Sequence, residues 1–471
     1  MLFNSLAFLL FFPLVTIGYW VLPGRYRNAM LLVASYYFYM SWKPVYALLI
    51  LFSTLTTWFC GIKMGADQRR NKRWLTLCLV VNLAILFSFK YLNFAAGIIT
   101  DVLQFTGLGL SVPEFDILLP VGISFYTFQA IGYTIDVYRG NIAAERHLGT
   151  YALFVSFFPQ LVAGPIERAR NLLPQFHARH ACDGNTVTEG LRLMVWGYFM
   201  KLCIAENVAP YVDAVFNNLP NHNGTSVWLA TLFFTFQIFC DFGGYSLIAI
   251  GAARCMGFTL MQNFKRPYLS PSVKEFWHRW HISLSSWFGE YVYIPLGGSR
   301  CSEARHQRNL LVTMLVSGLW HGANWTFVCW GGLHGLLLSL YSLKRKFLPW
   351  ATLGTSAAAR MVNVAITFVL AMLCWVFFRA NTMHDALLAF NKMFTQPGLL
   401  FNGEGKPALL MAALMIALLI AKELKDELGW HRLDLMHNRR SWLAIASTAA
   451  MVIVILLCGN FSGGQFIYFQ F

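Results

Sequence analysis

The stretch SGLWHGANW, residues 317–325, carries one ionisable side chain, His321, inside an apolar run from residue 310 to residue 343. A membrane-spanning helix that begins near Asn309 would rise about 1.5 Å per residue, which places His321 roughly 18 Å along it, near the middle of a ~30 Å hydrocarbon layer. An ionisable group at that depth is costly and is paired or lines a wet cavity. His321 is therefore a candidate functional residue, and a histidine that only bonds a neighbouring helix is the structural alternative.

The composition is that of a membrane protein. Of 471 residues, 57% are hydrophobic and 12% are charged, whereas soluble domains carry about twice that charged fraction. The net charge is +15, but an integral membrane protein distributes such charge by topology, so no nucleic-acid partner is expected. The ten cysteines are scattered without a CxxC pair, which indicates small buried residues and no disulfide framework or zinc site.

The apolar segments predict an all-α, polytopic membrane protein with about eleven transmembrane helices, and the shorter segments indicate re-entrant or interfacial helices. Lysine and arginine concentrate in one set of loops, at residues 68–73, 139–146, 167–179, 254–279, 300–308, 344–346 and 422–440. The positive-inside rule makes these loops cytoplasmic and places both termini on the other side. Most of this charge is explained by orientation, although it also suits a polyanionic cytoplasmic ligand such as coenzyme A.

Two polar side chains fall within the apolar segment at residues 236–251. Gln237 and Asp241 are four residues apart and so share one helical face, and Asp241 lies inside the predicted span. Two readings stay open at this point: Asp241 contacts a ligand directly, or it orients a buried cation.

The segment at residues 263–298 predicts an interfacial helix. Ser272 and Glu275 have the spacing of a capping box. Apolar and aromatic residues then recur every three or four positions, at Phe276, Trp280, Leu284, Trp287 and Tyr291. This pattern indicates an amphipathic helix that lies in the membrane interface or dips into it. His278 and His281 are three residues apart, but no third ligand stands at a useful spacing, so no metal site is predicted.

The motifs WHISLS, YIPLGG and WHG, at residues 280–285, 293–298 and 320–322, together with FCDFGGY at 239–245, resemble those of the membrane-bound O-acyltransferase family. The likeness runs from LFNSLAFLLFF near the N-terminus through GISFYTFQAIGYTIDVYRG and FPQLVAGPIER to WVFFRA and the terminal FIYFQF. It is greatest for the bacterial branch of alginate O-acetyltransferase membrane subunits and teichoic acid D-alanyl transferases.

The resemblance implies a central core of the same type with a through-membrane tunnel. We expect a single membrane domain over residues 1–471, with N-terminal helices at 1–110, a catalytic core at 111–400, and C-terminal helices with an aromatic tail at 401–471. The tail, FSGGQFIYFQF, is too short to span and is expected at the outer interface, where aromatic side chains are favoured.

The resemblance also implies a catalytic pair, with His321 of WHG as the essential residue and His281 of WHISLS as the second. The chain departs from the family pattern at two places, since relatives usually read FWRRWHISLS where His278 stands and RDYVYIPLGG where Gly289 and Glu290 stand. Both departures flank the implied catalytic positions without replacing them.

The chemistry fits these residues independently. A thioester is already activated, so its transfer to a hydroxyl needs mainly a base and the exclusion of water. Histidine suits this role, because its ordinary pKa is about 6.5 and an apolar surrounding favours its neutral form. An acyl-imidazole on His321 is an alternative, and His281 orients a substrate or assists proton transfer. Candidate binding residues for the donor and substrates are Arg168, Lys265, Arg266, Arg279, Asp241, Gln237, Asn324 and Trp320.

The sequence thus predicts an inner-membrane O-acetyltransferase subunit with periplasmic termini and no permanently bound cofactor. Acetyl-CoA is the expected cytoplasmic donor. The resemblance implies an exported polysaccharide, such as alginate or cellulose, as the final receiver, and a separate periplasmic or membrane-anchored partner with an SGNH-hydrolase-like domain. Two alternatives remain: transfer of D-alanyl or another acyl group to teichoic acid or another glycopolymer, including transfer from a carrier-protein thioester, and a transporter that moves an acyl group or lipid without chemistry.

Overall fold

The computed structural model describes residues 1–66, 72–107, 109–162, 164–348, 356–403, 405–430, 441–461, 466 and 467. Within these residues every regular element is a helix, which confirms the predicted all-α class. The α-helices are α1 (Leu6–Val21), α2 (Gly24–Met40), α3 (Ala47–Ala66), α4 (Lys72–Leu86), α5 (Leu92–Phe105), α6 (Ile123–Arg139), α7 (Leu148–Ser156), α8 (Phe158–Leu161), α9 (Ala169–His177), α10 (Gly184–Tyr198), α11 (Glu206–Phe216), α12 (Gly224–Cys255), α13 (Val273–Arg279), α14 (Ile282–Phe288), α15 (Glu303–His321), α16 (Trp325–Phe347), α17 (Ala357–Arg379), α18 (Met383–Thr395), α19 (Lys406–Glu427) and α20 (Ser441–Cys458). π-Helical turns occur at Phe87–Tyr91, Phe199–Ala205 and Gly289–Tyr293.

Several of these helices are long and apolar enough to cross a membrane. Among the described residues, six stretches meet that description: Pro44–Gly65, Lys72–Phe105, Gly224–Cys255, Trp325–Phe347, Ala357–Arg379 and Lys406–Glu427. Two further apolar helices, Leu6–Val21 and Trp442–Cys458, are shorter. The multi-pass membrane character is confirmed, and the number of about eleven spans stays a prediction.

The helices gather into two compact units. Unit 1 comprises Met1–Gly190 with Ala252–Met261, and unit 2 comprises Leu191–Gly251 with Gln262–Phe471. This division does not test the predicted single domain or its inner boundaries, which stay a prediction.

In unit 1, the nearly buried helix α6 is held by close packing and hydroxyl bonds. Tyr133 of α6 lies against Gly61 of α3, where a Cβ would come within 2.9 Å of the tyrosine ring. A small residue at this position therefore lets the helices approach. The Tyr133 ring also lies 4.5 Å from the ring of Tyr151 in α7, and the Tyr151 hydroxyl donates to Thr57 Oγ1 of α3 at 2.7 Å. These contacts join α3, α6 and α7.

In unit 2, α15 and α16 form a tight antiparallel hairpin. A Cβ at Gly318 would overlap the carbonyl oxygen of Phe327, and one at Gly331 would overlap that of Met314. Glycine at both positions lets the two backbones touch. Next to this hairpin lies an aromatic core in which the fully buried Trp375 ring is 4.9 Å from Trp280 and 5.7 Å from Trp330.

Candidate active site

His321 lies at the tip of the α15–α16 hairpin. Helix α15 begins at Glu303, six residues before the start near Asn309 that the estimate of depth assumed, and it ends at His321. The helix stops here because Asn324 caps α16, its Oδ1 accepting the Thr326 N–H at 3.0 Å. The Asn324 amide also donates to the Asn381 carbonyl at 3.0 Å. Asn324, which was predicted to bind a substrate, therefore uses both ends of its side chain to hold the turn that follows His321.

Aromatic side chains surround the His321 ring, which is only 2% exposed. The ring centroids of Trp320, Trp330 and Phe378 lie 5.0, 4.9 and 5.2 Å from the imidazole. Each of these contacts is edge to face, the arrangement that aromatic rings prefer. The hairpin, α17 and the aromatic core thus fix the imidazole plane.

His281 occupies a break between two short helices. The predicted cap at Ser272 is confirmed, since Ser272 Oγ accepts the Glu275 N–H at 3.2 Å at the start of α13, while the Glu275 carboxylate accepts from Arg279 Nε at 2.9 Å. The expectation of one amphipathic helix through Trp280 was wrong, because α13 ends at Arg279 and α14 begins at Ile282. His281 between them has a left-handed backbone, with φ 43°, a conformation that costs a residue other than glycine about 1–3 kcal/mol.

Bonds from a neighbouring segment hold this left-handed turn. The Asn263 carbonyl accepts the Ile282 N–H at 2.8 Å, and the Lys265 N–H donates to the Arg279 carbonyl at 2.9 Å. These two bonds bracket Trp280 and His281 on both sides. A strained backbone conformation persists when several bonds from the surrounding structure hold it in place.

The structure brings together His281 and His321, the two residues that the resemblance implies as a pair. Their ring centroids are 6.4 Å apart, and His281 is fully buried. Trp320 touches both, at 5.9 Å from His281 and 5.0 Å from His321. Trp320 therefore belongs to the same site as the histidine pair.

Asp241 is the partner of a buried cation. Its Oδ1 lies 2.5 Å from Lys201 Nζ, which is also 2.5 Å from Glu206 Oε1. All three side chains are buried, so of the two readings of Asp241 the geometry matches the structural one. The sequence reasoning did not single out Lys201, although a lysine within the apolar stretch FMKLCIA is the kind of signal that marks a buried ion pair. Gln237, one turn before Asp241, is only partly buried.

The described part of the aromatic tail is packed inside unit 2. The Ile467 N–H donates to Asp241 Oδ2 at 2.8 Å, and the Phe466 ring lies 4.6 Å from that of Tyr245. Both residues are buried among the side chains of unit 2, and their expected depth at the outer interface stays a prediction. Residues 462–465 and 468–471 of the tail lie outside the described residues.

Two of the three predicted donor-binding arginines bind one carboxylate, that of Glu427. Glu427 accepts from Arg266 Nε at 2.7 Å, and from Arg279 Nη1 and Nη2 at 3.0 and 3.1 Å. Arg360 joins them, with Nη2 2.7 Å from Glu427 Oε1. Arg279 also pairs with Glu275 at 2.9 Å, so three guanidinium groups face two carboxylates and leave a local excess of positive charge. No sequence pattern pointed to Glu427 or Arg360, which come from α19 and α17.

A cavity of about 160 Å³ opens beside this cluster in unit 2. Its cationic lining residues are Lys265, Arg266 and Lys422, and Glu423 and Asp426 also line it. Phe264, another lining residue, lies nearly parallel to the His281 ring at 6.4 Å. The fourth predicted donor-binding residue, Arg168, lies in unit 1 at the start of α9, where it is buried.

These observations define a class: a multi-pass helical membrane protein with two histidines enclosed in an aromatic core. The model of the membrane-bound O-acyltransferase family matches residues 142–384. The chain belongs to this family and is an O-acyltransferase.

Relatives of the chain carry related activities in their names. It is 42% identical to the probable alginate O-acetylase AlgI of Pseudomonas aeruginosa over 403 residues, which cover 84% of this chain and 75% of the relative. It is 34% identical to a peptidoglycan O-acetyltransferase of Helicobacter pylori over 432 residues, which cover 83% and 80%. It is 26% identical to a teichoic acid D-alanyltransferase of Bacillus subtilis over 262 residues, which cover 51% and 66%.

Proposed function

We propose that the chain transfers acetyl groups from a cytoplasmic thioester, acetyl-CoA, to a hydroxyl acceptor that reaches the site from the periplasm, for O-acetylation of an exported polysaccharide of alginate or cellulose type. The observation that carries the proposal is the buried pair of imidazoles 6.4 Å apart. The similarity to alginate O-acetylases over 84% of the chain supports the acetyl group and the polymer.

In the proposed reaction His321 is the general base. Its neutral imidazole accepts the proton of the acceptor hydroxyl while the oxygen attacks the thioester carbonyl carbon. The new C–O bond forms, the C–S bond breaks, and the departing thiolate takes the proton from the imidazolium. His281 orients the reacting groups beside it. The aromatic rings around His321 exclude water, which would otherwise compete for the thioester.

The proposed donor route runs through the cavity beside Lys265, Arg266 and Lys422. Arg266 and Lys422 also pair with Glu427 and Asp426, and together with Lys265 they supply the positive charge at this wall that suits the phosphates of coenzyme A. Phe264 connects this wall to the His281 ring. The proposed route also includes a through-membrane tunnel, which joins the cytoplasmic side to the acceptor in the periplasm. Arg279 orients the cluster through Glu427, and Asp241 and Asn324 support the fold of unit 2 around the site. Arg168 and Gln237 stay proposed binding residues.

The proposed location is the bacterial inner membrane, with both termini in the periplasm. A separate periplasmic or membrane-anchored protein with an SGNH-hydrolase-like domain is the proposed partner that passes acetyl to the polymer.

The second candidate function is acyl transfer to a cell-wall polymer, which the peptidoglycan O-acetyltransferase and teichoic acid D-alanyltransferase relatives favour. The transporter alternative is dropped because the chain belongs to an acyltransferase family.

The test compares His321→Ala with His278→Ala, because His278 is exposed on α13. Membrane vesicles that carry each full-length variant receive radiolabelled acetyl-CoA, and alkali-labile acetyl on the polymer fraction is measured. A general base contributes 10²- to 10⁴-fold, so His321→Ala is expected to lower transfer at least about 100-fold, and His278→Ala less than about twofold. Undiminished transfer by His321→Ala would contradict the proposal.

A further inference from the structure

The buried residue Asn263 uses its backbone carbonyl and both ends of its side-chain amide in hydrogen bonds. Its carbonyl accepts the Ile282 N–H at 2.8 Å, its Oδ1 accepts the Ser283 hydroxyl at 2.6 Å, and its Nδ2 donates to Ser246 Oγ at 3.0 Å. Asn263, Ser246 and Ser283 are all at most 2% exposed. Two of these bonds end on the two residues that directly follow His281.

These bonds hold the backbone on one side of His281, which is one of two residues other than glycine with positive φ in the described chain. A left-handed histidine relaxes to an ordinary backbone unless its neighbours are held, and that change would swing its side chain away. The bonds to Ile282 and Ser283 hold one side of the turn. The bond between the Lys265 N–H and the Arg279 carbonyl holds the other.

The same segment also sets the plane of the imidazole. Phe264, directly after Asn263, lies within 18° of parallel to the His281 ring. Phe242 meets that ring edge to face at 4.6 Å. Phe242 and Ser246 are one helical turn apart on α12, so the long helix supports the ring through Phe242 and the backbone through Ser246 and Asn263.

We propose that Asn263 is a positioning residue for His281. It acts through Ile282 and Ser283, keeps the His281 backbone left-handed, and so keeps the His281 ring 6.4 Å from that of His321. The proposal rests on the proposed function in one respect, the participation of His281 in acyl transfer.

The kinetic test uses Asn263→Ala and Ser283→Ala, each of which removes one end of the 2.6 Å bond. A misplacement of about 1 Å costs on the order of 100-fold in rate, so each variant is expected to lower kcat for acetyl transfer at least about tenfold, with the KM for acetyl-CoA little changed. Ser270→Ala is the matched control, because this buried hydroxyl bonds only the Pro267 carbonyl of its own turn at 2.6 Å. Two variants are used so that a folding defect in one leaves the other informative.

A double substitution separates positioning from general damage. Positioning predicts that Asn263→Ala causes no further loss in a His281→Ala background, since the two changes remove one function. Additive losses would overturn the proposal, as would wild-type kcat in both Asn263→Ala and Ser283→Ala. If His281→Ala alone keeps full activity, the role of His281 in the proposed function fails as well.

A second readout needs no activity. Diethyl pyrocarbonate modifies imidazoles, and peptide mass spectrometry reports the rate at each histidine of the full chain. His334 is the internal reference, because it is as buried as His281 and lies in α16. Release of the turn in Asn263→Ala is expected to raise the modification rate of His281 severalfold relative to His334. An unchanged ratio would overturn the positioning role even if acetyl transfer itself were absent.

Discussion

At the scale of single residues, Lys201 shows how a membrane protein tolerates charge in its interior. Its ammonium group lies between two carboxylates at 2.5 Å, and the three side chains are almost inaccessible to solvent. The pairing offsets a large desolvation cost, and removal of one member leaves the others uncompensated. Since Asp241 also accepts the Ile467 N–H, the cluster ties α12 to the π-helical turn at Phe199–Ala205 and to the C-terminal segment.

Replacement of Lys201 by methionine is expected to destabilise the protein by about 3–5 kcal/mol, because two carboxylates then share an apolar site without a cation. Thermal unfolding in detergent, followed by circular dichroism, measures the effect. The variant that combines Lys201→Met with Asp241→Asn and Glu206→Gln serves as the control and is expected to recover most of the loss. Wild-type stability of Lys201→Met alone would show that the cluster has no net role.

At the scale of elements, the tight contact between α15 and α16 positions His321. Gly318 precedes the histidine by one helical turn, and its backbone lies against the Phe327 carbonyl. A methyl group at this position would overlap the backbone carbonyl oxygen of Phe327, which cannot move aside as the end of a flexible side chain could. The two helices must therefore separate, and the residue at the end of α15 moves with them.

The substitution Gly318→Ala is expected to cost about 1–3 kcal/mol in stability, as for other overpacked sites, and to lower acetyl transfer more than it lowers the amount of folded protein. Gly332→Ala in the same hairpin is the control, because its new Cβ would first meet Leu315 Cδ2 at an ordinary 3.5 Å. Acetyl transfer is normalised to folded protein by size-exclusion chromatography. Equal activity of the two variants would show that the close packing of the hairpin does not position His321 for acetyl transfer.

Local signals predicted some of these elements and missed others. The cap at Ser272 could be predicted because both partners of the box lie within four residues of each other. The break at His281 could not be predicted, since the bonds that hold its left-handed backbone come from Asn263 and Lys265 on another segment. The pattern of apolar and aromatic residues every three or four positions also continues through it. The resemblance supplied the histidine pair, and no periodicity would have paired those two residues.

At the scale of the whole molecule, the distribution of lysine and arginine predicts the orientation in the membrane. The loop that contains Cys182 follows the basic stretch at residues 167–179, so it is predicted to be cytoplasmic. The loop that contains Leu399 is predicted to be periplasmic. The structure describes both residues as exposed, Leu399 at 93%, which makes them suitable reporters of sidedness.

A membrane-impermeant maleimide tests this orientation. In spheroplasts, Cys182 is expected to stay unlabelled until the membrane is permeabilised, whereas a Leu399→Cys variant in a Cys182→Ser background is expected to react at once. Labelling is read by mass shift after purification. Reaction of Cys182 in intact spheroplasts would reverse the predicted topology and place the arginine cluster on the wrong side for a cytoplasmic donor.

The cluster around Glu427 constrains how this sequence can change. Arg266, Arg279 and Arg360 come from three separate parts of the chain and meet at one carboxylate. Without that carboxylate they become mutually repelling neighbours, although Arg279 keeps Glu275 as a partner. The favoured order of evolutionary substitutions is therefore loss of an arginine before loss of Glu427. Homologues are accordingly expected to lose these charges as a group, and a chain with a neutral residue in place of Glu427 but all three arginines retained would be under selection to replace one of them.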